Sequence, residues 1–165
     1  MPATCCGHND CTVHADGPSP LNVYSKADEE LGRLLSNFAH TPFVMDGITY
    51  ASVEGFYSSL FWPEGDQGRR AAAALSGGSA KAFRPEPAPV TLIYRGTFFA
   101  HRSPEHVTLV ERAIRAKLIA HPAIADGLAA SGDRPIVHEI HGVAQDPALC
   151  EILTRIRAEL QAVQR

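Results

Sequence analysis

The chain has 165 residues, of which 45% are hydrophobic and 20% are charged, and its formal net charge is -3 at pH 7. This ordinary globular composition argues against a disordered chain and against a strongly basic nucleic-acid-binding protein. No apolar run approaches the roughly 18 to 20 residues that cross a membrane, so we expect no membrane partner and one domain with its own core.

The N-terminal segment is predicted to be a flexible tail over residues 1–20, followed by a single domain over residues 21–163. The tail lacks hydrophobic periodicity and ends in Gly-Pro-Ser-Pro. Five Cys and His residues lie between Cys5 and His14, with no scaffold to orient them as ligands, so a tail is favoured over a metal site. The tail has neither the basic nor the apolar region of a secretory signal, and a cytoplasmic location is therefore expected.

The predicted strands are short and mostly form hairpins. The apolar residues 21–24 indicate an edge strand, and residues 43–51 indicate a hairpin that turns at Asp46-Gly47. A second hairpin is predicted from residues 90–94 and 97–100, and a further strand from residues 136–140.

The predicted helices follow from capping residues and apolar spacing. Ser52 is an N-cap for a helix that ends before Pro63, and Ser103 followed by Pro104 begins another. Alanine-rich residues 67–75 form a helix that Ser-Gly-Gly at 76–78 should end. Residues 122–130 predict a shorter helix, and an apolar stripe predicts a last one: Leu149, Ile152, Leu153, Ile156, Leu160 and Val163. The fold class is therefore α+β, mainly helical, with short strands and hairpins.

The charges are unevenly distributed along the chain. Residues 1–67 carry nine acidic and two basic residues, whereas residues 68–120 carry nine basic and three acidic residues. A middle segment with an excess of about six positive charges suits an anionic ligand such as a diphosphate. The alternative is that these charges coat solvated helix faces.

Glu54 is the leading candidate for chemistry. It lies in the first turn after Ser52, where the helix dipole and unpaired amides favour a carboxylate. A fixed anion there can stabilise an oxocarbenium-like centre, orient a ribose hydroxyl or act as a base. The alternative is a glutamate that only complements the dipole.

Other candidates surround Glu54 in the sequence. Ser36 and Asn37 suit ligand hydrogen bonds but also serve turns, and Asp46 is first of all a turn residue. Four aromatic residues crowd the helix after Ser52, where a core role competes with stacking on a base: Phe56, Tyr57, Phe61 and Trp62. The histidines form no HExxH pair, and no serine-hydrolase elbow, P-loop or dinucleotide fingerprint is present.

The motifs LSNF (residues 35–38) and PF-x-x-DG-x-x-Y-x-S-x-E-G-F (residues 42–56) closely resemble the NADAR (YbiA-like) family. The resemblance continues through LSGGSAK (75–81), SPEHVTLVERAIRAKL (103–118), ASGDRPIVH (130–138) and ILTRIRAEL in the last helix. It covers about residues 21–162 in unbroken order and implies the fold of that family.

The resemblance also implies an activity and a set of site residues. The family is implied to contain N-glycosidases that remove ADP-ribose from guanine bases or hydrolyse ribosylamino intermediates of riboflavin synthesis. By resemblance, Glu54 is the catalytic residue, and Ser36, Asn37 and Phe38 form the ligand-binding loop. We also predict ligand-binding positions at Asp46, Phe61 and Lys81, with Phe61 lining the pocket. We expect no cofactor, and the sequence gives no reason to place a metal in the pocket. The expected partner is an ADP-ribose-like or nucleotide small molecule, including an ADP-ribosylated nucleobase.

Two departures from the family pattern keep the function open. Family members place a Schiff-base-forming lysine seven positions after the glutamate, where this chain has Phe61. The riboflavin-linked W-G-x-G-x-G-x-N segment is also missing after His138, where only EIHGVAQ stands. We therefore expect an N-glycosidase-like protein acting on ADP-ribose conjugates without a lysine. The alternative is a catalytically impaired module that binds ADP-ribose or a nucleotide.

Overall fold

The computed structural model describes residues 18–163, so the segment from Cys5 to His14 lies outside the described residues. The described part contains seven helices and eight short strands. In chain order they are β1 Leu21–Asn22, α1 Glu30–Leu35, β2 Phe43–Met45, β3 Ile48–Tyr50, α2 Val53–Ser59, α3 Gln67–Ala73, α4 Gly77–Ala82, β4 Thr91–Tyr94, β5 Thr97–Ala100, α5 Pro104–Ala120, α6 Pro122–Ala130, β6 Ile136–Val137, β7 Glu139–Ile140, β8 Val143–Ala144 and α7 Pro147–Val163.

The predicted mainly helical α+β class is confirmed. Within residues 18–163 the strands pair only two by two: β2 with β3, β4 with β5 and β7 with β8 are antiparallel, and β1 with β6 is parallel. The helices therefore supply most of the framework. None of them is both long enough and apolar enough to cross a membrane.

The two predicted hairpins are confirmed, and their turns explain why. Asp46 and Gly47 have φ angles of 50° and 79°, and Arg95 and Gly96 have 50° and 76°. Two consecutive residues in the left-handed region form the mirror-image turn whose twist matches that of a hairpin. The local sequence therefore specifies both pairs of strands.

The core lies between the hairpins and the two long helices, α5 and α7. The buried residues of α5 include Ala113, Ile114 and Leu118. The buried residues of α7 are Arg157 and the first four residues of the predicted apolar stripe: Leu149, Ile152, Leu153 and Ile156. Leu160 packs partly buried against the core, but Val163 is 88% exposed, so the stripe ends one turn earlier than predicted.

Two predicted boundaries were wrong. Ser76 has extended backbone angles and Gly77 has a φ of 59°, so these residues redirect the chain and begin α4 instead of only ending α3. The strand predicted over residues 136–140 is divided, because Ile136–Val137 pairs with β1 whereas Glu139–Ile140 pairs with β8.

Helix α2 packs closely against the turn between α3 and α4. The Ser52 hydroxyl accepts a hydrogen bond from the Gly55 amide at 2.8 Å and donates to the Leu75 carbonyl at 3.0 Å. A Cβ atom on Gly55 would lie 2.4 Å from that same carbonyl oxygen. Only glycine permits this approach, which fixes the start of α2 and, with it, Glu54.

We expect Gly55→Ala to destabilise the fold by roughly 1–3 kcal/mol, because the added methyl group clashes with a backbone carbonyl. Gly78→Ala is the matched control, since a Cβ on Gly78 meets nothing within 4 Å. The control should be neutral or stabilising by up to about 1 kcal/mol in helix α4. Urea unfolding of both variants measures the difference, and equal stabilities would contradict this packing.

Candidate functional site

Helix α2 presents Glu54 and Tyr57 at positions i and i+3 of one face, and Phe61 follows at i+7, just after the helix ends. The start of α2 is joined to the predicted ligand loop, because the Glu54 amide donates a hydrogen bond to the Asn37 carbonyl at 2.9 Å. The structure thus brings together the loop at residues 36–38 and the carboxylate that the sequence analysis singled out.

Glu54 is a buried carboxylate with one cationic partner in contact. It is 7% exposed, and Arg84 Nη2 donates a hydrogen bond to its Oε1 atom. Burial raises the pKa of Glu54 above its ordinary value, while the charges of Arg84 and then Lys81 act in the opposite direction. Lys81 is exposed but is near enough to influence the carboxylate.

Arg84 organises the site, and the sequence analysis did not single it out. Its Nε donates to the Ser58 hydroxyl at 3.1 Å. Its guanidinium carbon lies 4.7 Å from the centre of the Tyr57 ring and 4.9 Å from that of Phe61. Arg84 therefore contacts both turns of α2, and Phe61 just after it, through charge, hydrogen bonding and cation–π attraction.

Phe61 stands beside the ion pair rather than away from it. Its side chain belongs to the core and is 5% exposed, yet one side of the ring faces the Arg84 guanidinium. The His101 ring packs against Phe61 edge-on, with ring centres 5.3 Å apart. The position at which the family pattern has a lysine is thus an apolar wall next to the Arg84 cation.

Two of the scattered histidines meet at the same face of α2. The Tyr57 hydroxyl and His101 Nε2 are 2.5 Å apart. His106, only 2% exposed, packs against the Tyr57 ring with centres 4.8 Å apart. Burial, followed by the charges of His101, Arg84 and Arg102, lowers the pKa of His106 to about 4 and keeps it neutral.

The predicted ligand loop is held from beneath by a buried lysine. The Ser36 hydroxyl accepts from the Phe38 amide at 3.2 Å, and the Ser36 carbonyl accepts from Lys117 Nζ at 3.0 Å. Lys117 is 1% exposed, and burial lowers its pKa to about 7. Asn37 Oδ1 is buried and finds no hydrogen-bond donor among residues 18–163.

Asp46 has structural partners of its own. Its carboxylate accepts hydrogen bonds from the Tyr94 hydroxyl at 2.7 Å and from Arg112 Nη2 at 3.0 Å, with Arg95 nearby. The Tyr94 hydrogen bond, and then the Arg112 hydrogen bond and charge, lower the pKa of Asp46. These contacts account for Asp46 as a hairpin residue, and its predicted ligand role stays a prediction.

Two cavities lie apart from Glu54. One, of about 420 Å³, is an apolar groove between β2 and the end of α5, lined by residues such as Val44 and Ile119. The other, of about 450 Å³, is lined by residues such as Asn22, Tyr24 and Glu139. No group of three or more His, Cys, Asp or Glu residues within residues 18–163 is arranged to hold a metal ion.

The comparisons with known proteins agree with one another. The sequence profile of the family described as Bacteriophage protein GP30.3 matches residues 31–157. A 17.1 kDa protein of the Gp30-rIII intergenic region of Enterobacteria phage T4 is 32% identical over 120 residues, 70% of this chain and 78% of that protein. The chain therefore belongs to the Bacteriophage protein GP30.3 family.

A solved structure is similar over nearly the whole fold. The NMR structure of the E. coli protein YbiA superposes with a TM-score of 0.64 at 21% identity, covering 88% of this chain and 87% of YbiA. At this identity the likeness shows the fold. The YbiA-like fold that the family resemblance implied is therefore confirmed.

We expect Lys117→Met to remove a pH dependence of stability. The unfolded lysine binds a proton up to about pH 10.5, whereas the folded one loses it near pH 7, so the free energy of unfolding rises with pH between these values. Denaturation at pH 7 and pH 10 should show a rise of roughly 2–4 kcal/mol in the natural chain that is absent from the variant. Lys26→Met, at an exposed lysine, is the control and should keep the rise.

Proposed function

We propose that this member of the GP30.3 family is an N-glycosyl hydrolase that cleaves a ribosyl C–N bond in ADP-ribose-type conjugates such as ADP-ribosylated guanine. The observation that carries the proposal is the buried Glu54 carboxylate, paired with Arg84 on the helix face that also presents Tyr57. A buried carboxylate whose pKa is perturbed by burial and by a specific cation is typical of a functional site.

In this proposal Glu54 stabilises the charge that develops in the reaction. Cleavage of the C–N bond leaves positive charge on the anomeric carbon and a pair of electrons on the leaving nitrogen. A fixed carboxylate of low exposure interacts with that charge more strongly than it would in water. A water molecule then adds to the anomeric carbon, and no covalent lysine intermediate is formed.

Arg84 gives the site its affinity for a diphosphate. Its Nε and Nη2 atoms bond Ser58 and Glu54, while Nη1 has no acceptor among residues 18–163. The side chain is 24% exposed, so a ligand reaches it from solvent. A guanidinium is well suited to bind phosphate oxygens, and the exposed Lys81 adds positive charge near Glu54.

The loop at residues 36–38 holds the ribose end of the ligand in this proposal. The buried Asn37 Oδ1 atom requires a hydrogen-bond donor, which a ribose hydroxyl or a base amino group supplies. The Phe38 carbonyl lies 3.8 Å from the position of a Cβ on Gly77, so α4 closes the far side of the loop. The proposed hydrolysis needs only water and substrate. The cytoplasmic location expected from the sequence stays a prediction.

A second function, binding without turnover, is favoured by one observation. The residue seven positions after Glu54 is the buried phenyl ring of Phe61, which provides no nucleophile. A pocket that keeps Glu54, Arg84 and the Asn37 loop would still recognise an ADP-ribose-like ligand. The two functions differ only in whether the bound conjugate is cleaved.

We expect the natural chain to release free ADP-ribose from ADP-ribosylated guanosine, and Glu54→Gln to lower kcat by at least about 100-fold. The amide keeps the size of the side chain but removes the anion that faces the anomeric carbon. Chromatography of the products measures release. Glu151→Gln, at an exposed position of α7, is the control and should keep full activity.

If Glu54→Gln retained full activity, Glu54 would not be the catalytic residue. If the natural chain bound ADP-ribose without releasing it from the conjugate, the binding function would replace the hydrolase.

Phe61→Lys tests whether the site tolerates a lysine at this position. We expect a loss of roughly 3 kcal/mol in unfolding free energy and no gain in release, because the new ammonium is buried against the Arg84 guanidinium. Phe61→Leu keeps an apolar side chain and should cost less. Release of ADP-ribose by Phe61→Lys alone would contradict the lysine-independent reaction and favour the binding function for the natural chain.

A further inference from the structure

We propose that Tyr57 and His101 form the pair that activates the attacking water in this site, with Tyr57 as a catalytic residue and His101 as its proton acceptor. This inference rests on the proposed hydrolysis. It assigns a role to His101, which neither the sequence motifs nor the family resemblance singled out, and to Tyr57, which the sequence indicated only as a core or base-stacking residue.

In the proposed pair the Tyr57 phenol donates its hydrogen bond to His101. Tyr57 Oη and His101 Nε2 are 2.5 Å apart, a short distance for a phenol and an imidazole. Burial raises the pKa of Tyr57, so the phenol keeps its proton at neutral pH. Burial, and then the charges of Arg102 and Arg84, lower the pKa of His101, so its ring is neutral. With the imidazole proton on Nδ1, Nε2 accepts from the phenol.

The Tyr57–His101 pair lies beside the ion pair of Glu54 and Arg84. Tyr57 follows Glu54 by three residues on the same face of α2, and the Arg84 guanidinium that bonds Glu54 also covers the Tyr57 ring at 4.7 Å. Tyr57 is only half-buried, and His101 is exposed at the end of β5. Water and substrate therefore reach the hydroxyl, while the proton leaves through His101 to solvent.

The orientation of His101 is fixed by its neighbours. Its ring packs edge-on against Phe61 and lies 5.2 Å from the His106 ring, centre to centre. The next residue, Arg102, has a φ of 64° and donates its amide to His106 Nδ1 at 2.9 Å. His106 thereby holds the backbone that carries His101, and its own neutrality keeps Nδ1 free to accept.

A second residue is required to activate the water, because Glu54 already pairs with Arg84 and stabilises the positive charge of the reaction. Its carboxylate is bonded to Arg84 and faces the positive charge at the anomeric carbon in the proposed reaction. A general base contributes typically 10²–10⁴-fold when it lies within hydrogen-bond reach of the proton that it removes. Tyr57 is such a group on the same helix face, and its proton already has an acceptor.

The proposed step transfers a proton from water to His101 through Tyr57. The water oxygen forms a bond to the anomeric carbon while its proton moves to Tyr57 Oη and the original phenol proton moves to His101 Nε2. The ribosyl C–N bond breaks, and its electron pair leaves with the base, which takes a proton from solvent. The His101 imidazolium then releases its proton to solvent, so one water is consumed and no oxidant or reductant takes part.

The pH dependence of the rate reports on His101. The charged and titratable groups that face it are Tyr57 on α2, Arg84 after α4, Arg102 in its own turn and His106 on α5. The rate should fall on acidification as His101 becomes protonated and can no longer accept. Burial of His101, and then the charges of Arg102 and Arg84, place this limb below the ordinary pKa of a histidine.

The test compares Tyr57→Phe and His101→Gln with the natural chain in the ADP-ribose release assay from pH 4.5 to 8.5. Tyr57→Phe should lower kcat about 100-fold or more with little change in KM, because only the hydroxyl is lost. His101→Gln should lower kcat and lose the acidic limb that belongs to His101. Matched controls are Tyr24→Phe and His40→Gln, which lie outside the cluster and should leave the profile unchanged.

The outcomes distinguish a failure of the proposed hydrolysis from a failure of the roles assigned to Tyr57 and His101. A natural chain that releases no ADP-ribose overturns the proposed function and this inference with it. A natural chain that is active, with Tyr57→Phe equally active, overturns the inference alone. A His101→Gln variant with unchanged kcat also overturns it, since His101 would then not be the proton acceptor. Thermal unfolding and ADP-ribose binding of each variant show that the fold and the pocket remain.

Discussion

The buried ion pair between Glu54 and Arg84 is the interaction on which the site depends. A carboxylate that is 7% exposed stays ionised only if a cation accompanies it out of water. The pair joins the start of α2 to the segment that follows α4, and Ser58 and the Tyr57 ring hold the guanidinium in place. Gly55 lets α2 approach the intervening turn closely enough for this contact, so packing and charge act on the same few residues.

The contact between Phe61 and Arg84 changes how the phenyl ring at this position is interpreted. On the sequence alone, a phenyl ring at this position removes a nucleophile and leaves an inactive pocket as one alternative. In the structure the ring packs on the Arg84 guanidinium, so the position still borders a fixed positive charge. A site with an anion, a cation and a tyrosine–histidine pair suits addition of water better than formation of a Schiff base, which is why we favour hydrolysis over binding alone.

Local signals predicted most of the fold and only part of the site. Ser52, Ser103 and the Asp46-Gly47 turn act within a few residues, so their helices and hairpin followed from the sequence. Helix α4 did not, because a Ser-Gly-Gly run reads equally as the end of one helix and the start of the next. Arg84 is 30 residues from Glu54, and His101 is 44 residues from Tyr57. Such pairings arise from tertiary packing, and no spacing rule reveals them.

The most direct test of the central claim is a crystal structure of the protein with ADP-ribose bound. The account predicts the diphosphate on the Arg84 guanidinium, the terminal ribose against Glu54 and the Asn37 loop, and a water within hydrogen-bond distance of the Tyr57 hydroxyl. ADP-ribose bound instead in the cavity beside Asn22 and Glu139, with Arg84 still covering Glu54, would contradict it. The ion pair would then be a structural feature of the fold rather than its ligand site.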